Sequence, residues 1–103
     1  MKRYICNYIL INSAQHTNSV LCVDCGSCSV HRFEVETAAT LYVDGAIVVA
    51  PALARPAIEA ALLAASSLSE ALAAMLPLTA TTSPDSDKVI LQVSVSPRFV
   101  RNL

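Results

Sequence analysis

Apolar positions recur along this chain with a period of two, then of three to four, then of two again. Residues 3–12, RYICNYILIN, carry Tyr and Ile on both parities, which predicts a strand covered on both faces. SAQHTNS (13–19) reads as a polar loop. VLCV and VHRFEVE are strand-like, and in the second Phe33 and Val35 alternate with Arg32, Glu34 and Glu36, giving one buried and one wet face. In TLYVDGAIVV (40–49), Asp44-Gly45 lies between two β-branched runs and suits the positive φ angles of a two-residue turn. A hairpin is predicted there, with Val43 facing Ala46 and Leu41 facing Val48.

The helical period begins at residue 54. ARPAIEAALLAASSLSEALAAML (54–76) holds no Gly, and Pro56 stands near its start, where a missing N–H costs nothing. Ile58, Leu62, Ala65, Leu68, Leu72 and Met75 or Leu76 recur at steps of three and four, with Glu59, Ser66 and Glu70 opposite. One helix of about six turns is predicted. Its polar stripe is narrow, which implies enclosure on more than one side. The spacings Ala57/Ala61 and Ala60/Ala64 would admit another backbone closely, although helix propensity alone accounts for alanines there.

Pro77 and the loop 79–87 end the helix. KVILQVSVS (88–96) is the last expected strand, with Val89, Leu91, Val93 and Val95 on one face and Gln92, Ser94 and Ser96 toward water; residues 97–103 read as a loose arm. The expected architecture is α+β. A single domain, 1–103, carries an antiparallel sheet of five or six strands with one long Ala/Leu-rich helix packed across it. Its inner faces should include Ile9, Ile11, Phe33, Val35, Leu41, Val48, Ile58, Leu62, Leu72, Leu91 and Val93.

Composition adds a partner to this picture. Apolar residues make up 54% of 103 and charged ones 15%. A domain of this size has too much surface to hide that load, so a homo-oligomer, most simply a dimer, is expected, as is affinity for a protein or a small apolar ligand. Net charge is −1, and the basic residues are scattered, leaving no stripe for a phosphate backbone; nucleic acid is not an expected partner. The basic ends Lys2-Arg3 and Arg98 to Arg101 read as solvated chain ends. MKRYICNYILINSA has the charge pattern of a secretory leader, but Asn7 and Asn12 interrupt its apolar part and an ordinary first strand is expected. Charges and prolines break up the Ala-rich stretch, so no membrane span is expected.

One stretch carries distinctive chemistry. CVDCGSCSVH (22–31) sets Cys22, Cys25, Cys28 and His31 at three-residue intervals. Cys22-x-x-Cys25-Gly26 matches half of a zinc knuckle, and Cys28 and His31 are the local candidates for the other two ligands. Over seven residues CVDCGSC also resembles the C-x-x-C-G-x-C run of bacterial ferredoxins, which implies an iron–sulfur cluster. The family's next Cys-Pro would fall on Arg32-Phe33, which leaves Cys6 as the only further thiolate.

A hairpin gives the same residues an ordinary explanation. With Cys25-Gly26 at its tip, Val23 pairs with Cys28, Cys22 with Ser29 and Val20 with His31. Cys22 and His31 then share one face while Cys28 points to the other. That reading makes Cys22 and Cys28 small core residues. Cys22/Cys25 as a redox pair lacks a following helix N-terminus to lower a thiolate pKa. Thiols without a leader suit a reducing, cytoplasmic setting.

Catalytic signals are sparse. Cys25 with His16 would need a third, orienting group. SPDSD (83–87) lacks the Gly and terminal Glu of a calcium loop, and two glycines cannot make a phosphate cradle. The expected function is a non-enzymatic binding or assembly module acting as a homo-oligomer, without a cofactor. The alternative is a zinc- or iron–sulfur-binding module centred on residues 22–31, and a third class is a cysteine-dependent small-molecule enzyme.

Overall fold

The computed structural model describes residues 2–24, 27–32, 40–80 and 88–103. Among these residues seven strands form one mixed sheet: β1 (Lys2–Ile11), β2 (Ala14–Asp24), β3 (Ser27–Arg32), β4 (Thr40–Tyr42), β5 (Ala46–Pro51), β6 (Lys88–Val95) and β7 (Arg98–Asn102). Their order is β3-β2-β1-β5-β6-β7, with β4 sharing the edge of β1 that β5 occupies further along. Between β5 and β6 the chain makes helices α1 (Arg55–Ala64) and α2 (Leu68–Met75), flanked by 3-10 turns at Ala52–Ala54 and Leu76–Thr79. The α+β class is as expected; the purely antiparallel sheet and the single helix are not.

The largest departure is at Asp44-Gly45. No hairpin forms there. β4 and β5 both run parallel to β1, pairing Ile5 with Tyr42 and Ile9 with Ile47. Four steps along β1 thus match five along the other chain, so Val43–Gly45 holds one inserted residue, a bulge. Gly45 has φ +81°, and a Cβ built on it would lie 2.3 Å from the carbonyl oxygen of Val93. The positive φ that suits a tight turn serves a bulge equally well; the choice is made by β1, some forty residues away. Leu41, expected inside, is 61% exposed as a result.

Three further segments differ. The polar stretch 13–19 is strand β2 almost throughout, because β1 supplies it with an antiparallel partner from Lys2↔Val23 to Ile11↔Ala14, interrupted at Asn7/Asn18. The chain reverses at Asn12 and Ser13, both with positive φ. The supposed loose arm is strand β7, hydrogen-bonded along β6. The long helix breaks at Ala65, which is extended (ψ 145°), before Ser67 caps α2. Phe33 and Val35 lie outside the described residues.

Two cores result, one on each face of the sheet. Leu10, Val48, Leu91 and Val93 pack beneath Ile58, Leu62, Leu72 and Met75 of the helices. On the other face Tyr4, Cys6, Ile9, Ile11, Leu21 and Ile47 form a second cluster, joined by Val30 of β3, Ile90 of β6 and Leu103. Residues from near both outer strands reach one cluster, so the sheet curls around it. β5, AIVVAP, is apolar in succession because it is covered on both sides. β1 turns over in passing from one end to the other: Tyr4 and Cys6 share the second core with Ile9 and Ile11, which have opposite parity. The switch falls at exposed Asn7 and Tyr8, where the Asn7/Asn18 pair is missing from the ladder and Asn18 has φ +49°.

Candidate functional site

The sulfur-rich segment is a hairpin of β2 and β3 with the expected register, Val23↔Cys28, Cys22↔Ser29 and Val20↔His31. Cys22 and His31 therefore share one face, and Cys28 points to the other, packed against the second core. Cys25 lies outside the described residues. Cys6 is buried in the second core, where its Sγ donates to the Gly45 carbonyl oxygen at 3.4 Å. Burial pushes the Cys6 thiol above its ordinary pKa, and burial does the same to Cys28, opposed by the charge of Lys88. Among the described residues no three of His, Cys, Asp and Glu gather where a metal ion would need them. Cys22, Cys28 and His31 are thus divided between two faces, and Cys6 belongs with Cys28, not with Cys22.

The face bearing Cys22 holds residues that the sequence did not single out. Pairing carries one row across four strands, Thr40–Arg3–Cys22–Ser29, and the next row is Tyr42–Ile5–Val20–His31. Directly paired residues project to the same side. Ser29 Oγ and His31 Nε2 share a hydrogen bond of 3.0 Å. Arg3, read from the sequence as a solvated end residue, has its Nε shut off from solvent with no hydrogen-bond partner among the described residues. Only its register opposite Cys22 marks Arg3 as part of this face.

Two clefts accompany the irregular backbone. One of about 320 Å³ opens at the crease in β1, lined by Asn7, Tyr8, Asp44, Leu68, Ser94 and Ser96. Gln92 is buried behind it, donating from Nε2 to the Asp44 carbonyl oxygen at 2.9 Å and accepting from Arg101 Nε at 2.7 Å. A second cleft of about 210 Å³ brings His16 to Cys28 and Ser29. His16 and Cys28 thus line one cleft as an imidazole and a thiol, together with Asn12 and Ser29.

The outer surface of α1 is of another kind. Ile58 and Leu62 face the core, so Pro56, Ala60, Leu63 and Ala64 fall on the opposite side at helical spacing, and Leu53 is exposed in the 3-10 turn that leads into α1. Leu53 is 95% exposed and Leu63 74%. The nearby charges are tied back to the protein: Arg55 Nε meets Glu59 Oε1 at 3.1 Å, and Arg55 Nη1 donates to Asn102 Oδ1 at 2.6 Å. Helical periodicity had implied enclosure on more than one side, yet among the described residues α1 is covered on one side alone.

The chain matches no protein-family model, no curated protein and no solved structure. Among the described residues no helix is long and apolar enough to cross a membrane.

Proposed function

We propose that the protein is a non-enzymatic assembly module that self-associates through the outer surface of α1. The observation that carries this reading is the pair of exposed leucines, Leu53 in the turn that leads into α1 and Leu63 on its outer side, where the neighbouring charges already have partners. Covering an exposed leucine contributes about 2 kcal/mol. A symmetric pair covers four, hence roughly 8 kcal/mol, against an association cost of about 4–15 kcal/mol. The leucines alone thus leave at most about 4 kcal/mol, a millimolar dimer, so association in the micromolar range requires that the adjoining Pro56, Ala60 and Ala64 be covered as well.

Sedimentation velocity from about 1 to about 200 µM tests this range. The parent chain should move from monomer toward dimer, while Leu53→Ser/Leu63→Ser stays monomeric with an unchanged circular dichroism spectrum. A parent that remains monomeric at the top of the range removes the proposal.

A further inference from the structure

We infer that the cleft at the crease of β1 is a binding site for a small primary amine bearing a branched apolar group. Two irregularities of the sheet meet there. The β1–β2 ladder lapses at Asn7, and the bulge at Val43–Gly45 places Asp44 and Gly45 in the cleft wall. A bulge interrupts regular pairing and bends its strand, which opens space that a continuous ladder would fill. Gly45 adds no side chain to close it. The cavity that results is about 320 Å³, at the lower end of the range of small-molecule sites.

A second cavity of about 100 Å³ adjoins the first, since Tyr8 and Leu68 line both. Its remaining wall is Gln15, Ser69 and the buried Leu72. The pair therefore has two unlike ends. Asn7, Asp44, Ser94 and Ser96 make one polar, whereas Leu68 and Leu72 make the other largely apolar. The smaller end suits a branched alkyl group of a few carbons and is too small for a fused ring system.

Charge selects a cation for the polar end. Among the described residues lining the two cavities, Asp44 alone has a charged side chain, and no arginine, lysine or histidine joins it. Its carboxylate makes no ion pair with a described residue. Its backbone is held, because Gln92 Nε2 donates to the Asp44 carbonyl oxygen at 2.9 Å and Arg101 Nε donates to Gln92 Oε1 at 2.7 Å. Arg101 itself lies over the Phe99 ring and does not line the cleft. A primary ammonium carries three donors and no acceptor. The Asp44 carboxylate and the Ser94 and Ser96 hydroxyls supply oxygens for it, and the partly exposed Tyr8 ring supplies a π face. The alkyl group then lies against Leu68 and Leu72.

Isoamylamine is the probe, and isoamyl alcohol is its neutral control. Titrating the full chain at neutral pH with isoamylamine hydrochloride should shift the methyl resonances of Leu68 and Leu72 saturably. Half-saturation should fall below about 10 mM, a range open to a ligand of so few atoms. Sodium chloride of equal ionic strength should leave those resonances in place. On the parent chain the alcohol should bind about tenfold more weakly, since it lacks the charge-assisted bond to Asp44. Asp44→Asn, at an exposed position, should keep the parent's urea midpoint, weaken the amine about tenfold and leave the alcohol unchanged. The absence of a saturable shift overturns the inference. So does an alcohol that binds as tightly as the amine, or an Asp44→Asn chain that titrates like the parent.

Discussion

Gly45 shows how one residue decides a topology. Its positive φ and the 2.3 Å gap to the Val93 carbonyl leave no place for a side chain. The obstacle is backbone of β6, which cannot swing aside as a side chain would. Gly45→Ala should therefore cost at least about 2 kcal/mol, from left-handed strain plus displacement of β6. Urea denaturation measures it; a loss below about 0.5 kcal/mol would show that the bulge relaxes freely. The same residue holds the buried Cys6 thiol through its carbonyl, so the substitution should also raise the alkylation rate of Cys6. Asp-Gly was legible in the sequence as a place of positive φ. Whether it turned the chain back or bulged it outward was not, because both use the same local angles and only β1 distinguishes them.

At the scale of elements, the break between α1 and α2 rests on two sets of hydrogen bonds. Arg98, from β7, donates to the carbonyl oxygens of Leu62, Leu63 and Ala65 and so satisfies the end of α1. Ser67 Oγ accepts from Glu70 N at 3.2 Å to begin α2, and the Glu70 carboxylate reaches back to Ser66 Oγ at 2.7 Å and Ser66 N at 3.4 Å. This is a capping box displaced by one residue. Ser67→Ala should lower stability by about 1 kcal/mol in urea titrations. The cap also has a pH signature. The Ser66 hydroxyl, then its N–H, hold Glu70 below the ordinary value of 4.5. Glu70 thus stabilises the fold above that value and loses the effect as pH falls through its lower folded-state pKa. Glu70→Gln should flatten that part of the acid limb; an unchanged slope would separate the cap from the titration. Periodicity of Ile58, Leu62, Leu72 and Met75 made the helical segment legible. It concealed the break, because the break leaves those residues on the same core and Arg98 lies over thirty positions away. The β2–β3 register was legible, since it depends on neighbours alone, whereas the first half of β2, read as a loop, was not, because its partner is β1.

The whole molecule joins two filled cores to one unfilled surface. Ile9, Leu10, Ile47, Ile58 and Met75 have no exposed area, so the fold does not depend on a second copy for its interior. The sheet ends at β3 and β7 among the described residues, and those edges carry Arg32 on one side and Arg98 and Arg101 on the other, charges that discourage edge pairing. Self-association through α1 is then an addition to a folded chain, which gives it a particular thermodynamic form. Leu53 and Leu63 are nearly as exposed in the folded monomer as in the unfolded chain, so replacing both by Ser should leave the urea midpoint unchanged at about 1 µM, where monomer dominates. Near 100 µM the parent should gain stability by mass action and the double variant should not. A midpoint lowered equally at both concentrations would mean that the leucines serve the monomer's own packing. A parent midpoint independent of concentration, with the variant equal to it throughout, would leave the surface of α1 without a second copy to cover it.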